Sequence, residues 1–184
     1  MADTFLSPNG DYSAVASFCG VKSVPVPADF MTAVDTAAEE VRAKCGPVLL
    51  ELGLTHVSYA SAYALVLPFR VASLASVTGE DGTDYPTSDF RVDEHHLGGH
   101  GGQVVRRKDG GLIPPCTVVY SSGWSGSAIP ARLMGAGREV ARHLYRVTLG
   151  NQRAGGAEGP PGYLWPRHAE TLAEGWALPP LGFS

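Results

Sequence analysis

The stretch "VVYSSGWSGSAIPARLMGAGREVARHLY", Val118 to Tyr145, passes from a short apolar run through a Gly/Ser turn into an amphipathic pattern. Two chemistries share that outline. One is the nucleophile elbow of a serine hydrolase, G-x-S-x-G, whose serine is wedged between a strand and a helix so that amides can stabilise an oxyanion. The other is a strand, a structural turn and a helix. Gly123, Trp124 and Ser125 match the elbow, but Ser127 stands where its second glycine belongs. The apolar run "CTVVY" closes at Tyr120 and Pro130 opens the helix, which leaves Ser125 in mid-loop. His143 on the helix's polar face and His168 near the C-terminus are poor triad partners. The turn therefore reads as structural, with a serine hydrolase using Ser125 as the weaker alternative.

From Pro130 the spacing predicts a helix over 130–148 that Gly150 ends. Leu133, Met134, Gly137, Val140, Ala141, Leu144 and Tyr145 form its apolar stripe, opposite Arg132, Arg138, Glu139, Arg142, His143 and Arg146. An earlier helix is expected over 27–44, with Phe30, Val34, Ala37, Ala38 and Val41 inward, and Gly46-Pro47 stopping it. Between the helices, residues 48–120 read as β-rich. "RVASLASVTG" alternates, placing Val71, Ser73, Ala75 and Val77 on one face, and turn-rich "EDGTDYPTSD" follows. No helix interrupts these runs to permit a parallel crossover, so the strands are expected to be antiparallel.

The expected class is thus α+β, with helices towards both ends packed with an antiparallel β-rich middle. Residues 1–27, with "VKSVPVPA", suit an extended N-terminal arm, and 28–150 suit a core domain. Residues 151–184 read as a Gly/Pro linker, a short helix starting at Pro166 and an extended tail.

Composition narrows the function. At 184 residues with 44% hydrophobic content, the chain can bury a core. A net charge of −4 argues against a protein held to DNA or an anionic membrane by its own charge. The N-terminus lacks the features of a signal peptide, and no apolar run is long enough to span a bilayer. Cys19, Cys45 and Cys116 make neither a CxxC pair nor a disulfide framework. These features together suit the cytoplasm.

Three groups of side chains are candidates for function. Asp93, His95, His96 and His100 in "DEHHLGGHGG" could ligate zinc or nickel. Their spacing matches no closed zinc motif, so a solvated hairpin loop is favoured over a metal-dependent binding module. Arg138, Arg142 and Arg146 line one helix face that could grip phosphate, contact a protein or simply face water; an acidic chain favours protein. Tyr163, Trp165, Trp176 and Phe183 are large aromatics in a Pro-rich tail, suited either to anchoring a partner or to folding back on the chain's own core. No Walker loop, dinucleotide fingerprint or paired-carboxylate motif is present, so no cofactor is expected.

The order of parts resembles the head-to-tail adaptor (first connector) proteins of long-tailed bacteriophages. Val118, Tyr120 and Gly123 match a V-x-Y-x-x-G strand and turn, and Pro130, Leu133, Ala136 and Tyr145 match a P-x-x-L-x-x-A helix ending near an aromatic. "LWPRHAETLAEGWALPPLGFS" is similar to the tail of actinobacteriophage members. The likeness spans roughly residues 28–184, leaves residues 1–27 without a counterpart, and departs from the family in an unusually long Gly/His loop at 95–102. It implies a non-enzymatic virion protein at the capsid–tail junction, assembled in the host cytoplasm. Such adaptors form a ring, typically of twelve copies, beneath the portal. They extend the channel for double-stranded DNA without binding it specifically, and seat a stopper or tail-completion protein. The resemblance makes Trp165, Trp176 and Phe183 candidate anchors and the arginine face a candidate contact with the portal or a neighbouring copy.

Overall fold

In the computed structural model, which describes residues 4–59, 63–93, 103–154, 165–174, 176 and 177, the architecture is mixed α+β with helices towards both ends. The chain divides into two compact units, residues 1–43 with 129–174 and residues 44–128 with 175–184.

The first unit is helical. Helix α1 spans Ser13–Cys19, α2 Ala28–Cys45, α3 Ala131–Ala154 and α4 Arg167–Ala173. The predicted stripe of α2 is the buried one: Phe30, Val34, Ala37, Ala38 and Val41 are all inside. Each of the larger of these contributes on the order of 1.5–3 kcal/mol by leaving water. Leu133, Ala136, Val140 and Ala141 do the same for α3, and Phe30 meets Tyr145 edge-on at 5.0 Å between centroids. The helix starts follow from proline: the N–H of Met31 donates to the Pro27 carbonyl and that of Met134 to the Pro130 carbonyl, both at 3.1 Å.

Three segments differ from their expected form. Residues 4–20 are not an extended arm. They fold into a turn and α1, burying Phe5, Leu6, Tyr12, Val15 and Ala16. The reason is visible in "MGAGREV": a Cβ on Gly137 would lie 2.9 Å from both Phe5 and Leu6. The bare glycine is what admits these side chains to α3. The same N-terminal segment is pinned to α2 by polar contacts. The Tyr12 hydroxyl donates to both Asp35 carboxylate oxygens at 3.0 Å, and Ser7 donates to Asp35 Oδ1 at 3.5 Å.

Second, α3 runs through Gly150 to Ala154 instead of stopping there. A helical glycine costs only about 1 kcal/mol relative to alanine, less than an established helix needs to break. Third, α4, expected within a docking tail, belongs to the helical core. Ala169 and Ala173 are fully buried, Leu172 packs over Gly135, and Arg132 donates to the Thr171 carbonyl at 3.0 Å.

The second unit is antiparallel β. Strands β1 (Glu51–Ser58), β7 (Cys116–Ser122), β3 (Val71–Gly79) and β4 (Asp84–Tyr85) form one sheet in that order. Strands β2 (Ala64–Leu67), β6 (Gln103–Arg107) and β5 (Phe90–Val92) form another. Leu65, Leu67, Val77, Val105, Cys116, Val118 and Tyr120 fill the core. The expected alternation of β3 fails in its middle. Its register against β7 shifts between Val71 and Ser73 and again between Leu74 and Ser76. Each bulge inserts a residue and swaps faces, so Val71 and Val77 are buried while Ser73 and Ala75 are exposed.

Candidate assembly interface

The opening turn proves to be a clasp within the β unit. Gly123 has φ of 98°, and a Cβ there would lie 2.2 Å from the Leu49 carbonyl oxygen, a position open only to glycine. That proximity lets Trp124 pair with Leu49. The Trp124 N–H donates to the Val48 carbonyl and the Leu50 N–H to the Trp124 carbonyl, both at 3.0 Å. Arg70 closes the clasp by donating to the Gly123 carbonyl at 2.9 Å, with its guanidinium 5.0 Å from the Trp124 ring centroid. Ser125 follows, its carbonyl accepting from Ala128 N–H at 2.7 Å as the chain enters a 3₁₀ turn over Gly126–Ala128. It does not sit at a strand end, and the sheet before it is antiparallel, so the elbow geometry is not formed.

His95, His96 and His100 lie outside the described residues. Asp93 at the loop's edge is engaged by Arg106 at 2.6 Å and Arg91 at 3.2 Å. The Arg106 bond, more than any other contact, holds its carboxyl below the usual value. Among the described residues no group of three His, Cys, Asp or Glu is placed to hold a metal ion.

The arginines of α3 do not form one free face. Arg142 pairs with Glu139 and lies 5.5 Å from the Phe18 ring centroid, so α1 partly covers it. Arg138 is half-buried, its Nε without a hydrogen-bond partner among the described residues. Arg146 is exposed. These arginines also reach Cys19, whose thiol is nonetheless pushed up to about 11, because burial outweighs the guanidinium charges. Of the tail aromatics, Trp165 is half-buried and donates its indole N–H to Glu40 on α2 at 3.4 Å, while Trp176 is half-buried. Tyr163 and Phe183 lie outside the described residues.

One surface escaped the sequence reading. Among the described residues β1 is an edge strand, paired with β7 alone, and its outer residues include Leu52, Val57 and Tyr59, which are 75%, 42% and 79% exposed. The signal was present in "ELGLTHVSY" but obscured. Gly53, at φ of 71°, is an extra residue opposite β7. It therefore brings Leu52 into phase with Thr55, Val57 and Tyr59 instead of with Leu54.

No protein-family model matches the sequence, and neither does any curated protein. Solved structures do match in fold. One, from the neck of an empty gene transfer agent (GTA) particle computed with C6 symmetry, superposes with a TM-score of 0.60 at 15% identity, covering 94% of this chain and 91% of the other. A second, from the neck of a native GTA particle computed with C12 symmetry, gives 0.58 at 14% identity, covering 92% and 91%. The chain thus has the fold of these neck components along nearly its whole length.

Proposed function

We propose that this chain is a structural protein of a phage-type neck, an actinobacteriophage-like head-to-tail adaptor. Copies form a ring beneath the portal, extend the DNA channel and seat a stopper or tail-completion protein. The observation that carries the reading is the fold shared with GTA neck chains over more than nine-tenths of both partners. The C6 and C12 symmetries of those necks support a ring. The modest net charge of −4 suits a channel through which DNA must slide without sticking. Trp165, Trp176, Tyr163, Phe183 and the arginines Arg138, Arg142 and Arg146, of which Arg146 is the most exposed, are the candidate contacts with portal or neighbour, and the role calls for no catalysis. Deleting the gene in the parent particle tests this. The expected product is separate heads and tails, rescued by supplying the chain in trans; normally joined particles would contradict the proposal.

A further inference from the structure

Antiparallel sheets that face water on one side ordinarily carry charged and polar residues there. The outer face at the β1 edge departs from this. Leu52, Thr55, Val57 and Tyr59 run along the strand, and Val119 and Thr117 of β7 lie opposite Thr55 and Val57. None of these six carries a charge. Native sheets also protect long edges with charges or short strands. The far edge of the same sheet is protected in that way: β4 has two residues, one of them Asp84. On β1 two features among the described residues guard the backbone edge. Gly53 bulges it, and Ser58 Oγ accepts from the Val66 N–H at 3.3 Å. Among the described residues, nothing covers the apolar side chains of Leu52, Val57 and Tyr59.

We infer that this outer face of β1 is where a second copy of the same chain packs in the assembled ring, side chain against side chain, without extension of the sheet. The inference rests on the ring reading above and names one of its surfaces. A ring repeats one heterologous contact, so each copy must carry two different complementary surfaces. A partner recognised through charge, such as DNA or an acidic segment, finds nothing on an uncharged row. A row of Leu, Val and Tyr instead suits a permanent contact between copies, whose buried core is more apolar than the rest of a protein's surface. The bulge and the Ser58 contact argue against the neighbour adding as a further strand.

The test compares wild type with a Leu52→Glu, Val57→Glu double variant, by sedimentation across a concentration series and by native mass spectrometry on portal rings from the same particle. Because both side chains point outward, the variant should keep its melting temperature. Assembly should weaken on the order of tenfold or more, since each glutamate must be desolvated without a partner. A wild type that self-associates or fills the portal ring beside a variant that does neither supports the inference. Equal assembly by both overturns it and leaves the adaptor reading standing. Self-association of wild type through β1 without portal binding would support the inference and contradict the adaptor reading. A wild type that remains monomeric in every condition overturns both. Should the variant misfold, hydroxyl-radical footprinting of wild type decides: Leu52 and Tyr59 must become protected on assembly, and unchanged labelling overturns the inference.

Discussion

Gly123 shows how much one hydrogen atom in place of a methyl group can hold. Its positive φ and the approach of the Leu49 carbonyl leave no room for a side chain. Gly123→Ala should therefore cost about 3 kcal/mol, as a strained backbone and a displaced clasp together. Gly126, three residues on, has nothing within 4 Å of a Cβ, and Gly126→Ala should change stability by no more than about 0.5 kcal/mol. Urea unfolding of the two variants checks the contrast. A second residue test concerns Tyr12, whose hydroxyl serves both oxygens of Asp35 and whose own pKa is raised, first by burial and then by that carboxylate. Tyr12→Phe should lose about 1.5–3 kcal/mol, the range for a hydrogen bond to a charged group. No loss would mean that the apolar contacts of Phe5, Leu6, Val15 and Ala16 hold the N-terminal segment without that hydrogen bond.

At the scale of elements, the two long helices were legible because their apolar stripes repeat every three or four residues and prolines mark their starts. What was not legible depended on residues distant in sequence. Phe5 and Leu6 reach α3 because Gly137 leaves room for them, and no local pattern near residue 5 encodes Gly137. The β3 and β1 bulges likewise arise from pairing with β7, so periodicity alone misplaced Ser73 and Ala75 and hid the Leu52 row. Of the candidate contacts, the arginines could be chosen from their common helix face. That α1 lies over Arg142 could not. Strand β1 also carries a pH signal. Burial lowers the pKa of His56 from its ordinary 6.5. Above that value both folded and unfolded chains hold it neutral. As pH falls through 6.5 the unfolded chain takes up a proton that the folded one resists, so stability should decline, and His56→Gln should flatten that decline. Asp93, depressed chiefly by Arg106, adds a second loss only as pH falls below its ordinary 3.8. Thermal melts from neutral to acid pH would resolve the two steps; a His56→Gln profile identical to wild type would contradict the first.

For the whole molecule, the placement of α4 changes what a truncation means. Removing residues from 165 onward strips Ala169, Leu172 and Ala173 from the helical unit, so the chain should lose stability as well as any docking contacts. A chain ending after Glu174 keeps α4 and Trp165 and is the better probe of the tail. Its stability loss should be smaller than that of a cut at 165, confined to the contacts of the half-buried Trp176, and it should bind a portal more weakly because it lacks Trp176 and Phe183. Equal binding would remove those aromatics from the interface. The central claim, that this fold serves as an adaptor, is tested most directly by native mass spectrometry of the purified chain mixed with the portal ring of the same particle. The account predicts a complex with about one copy per portal subunit. A competent portal ring that takes up none of the chain would contradict it.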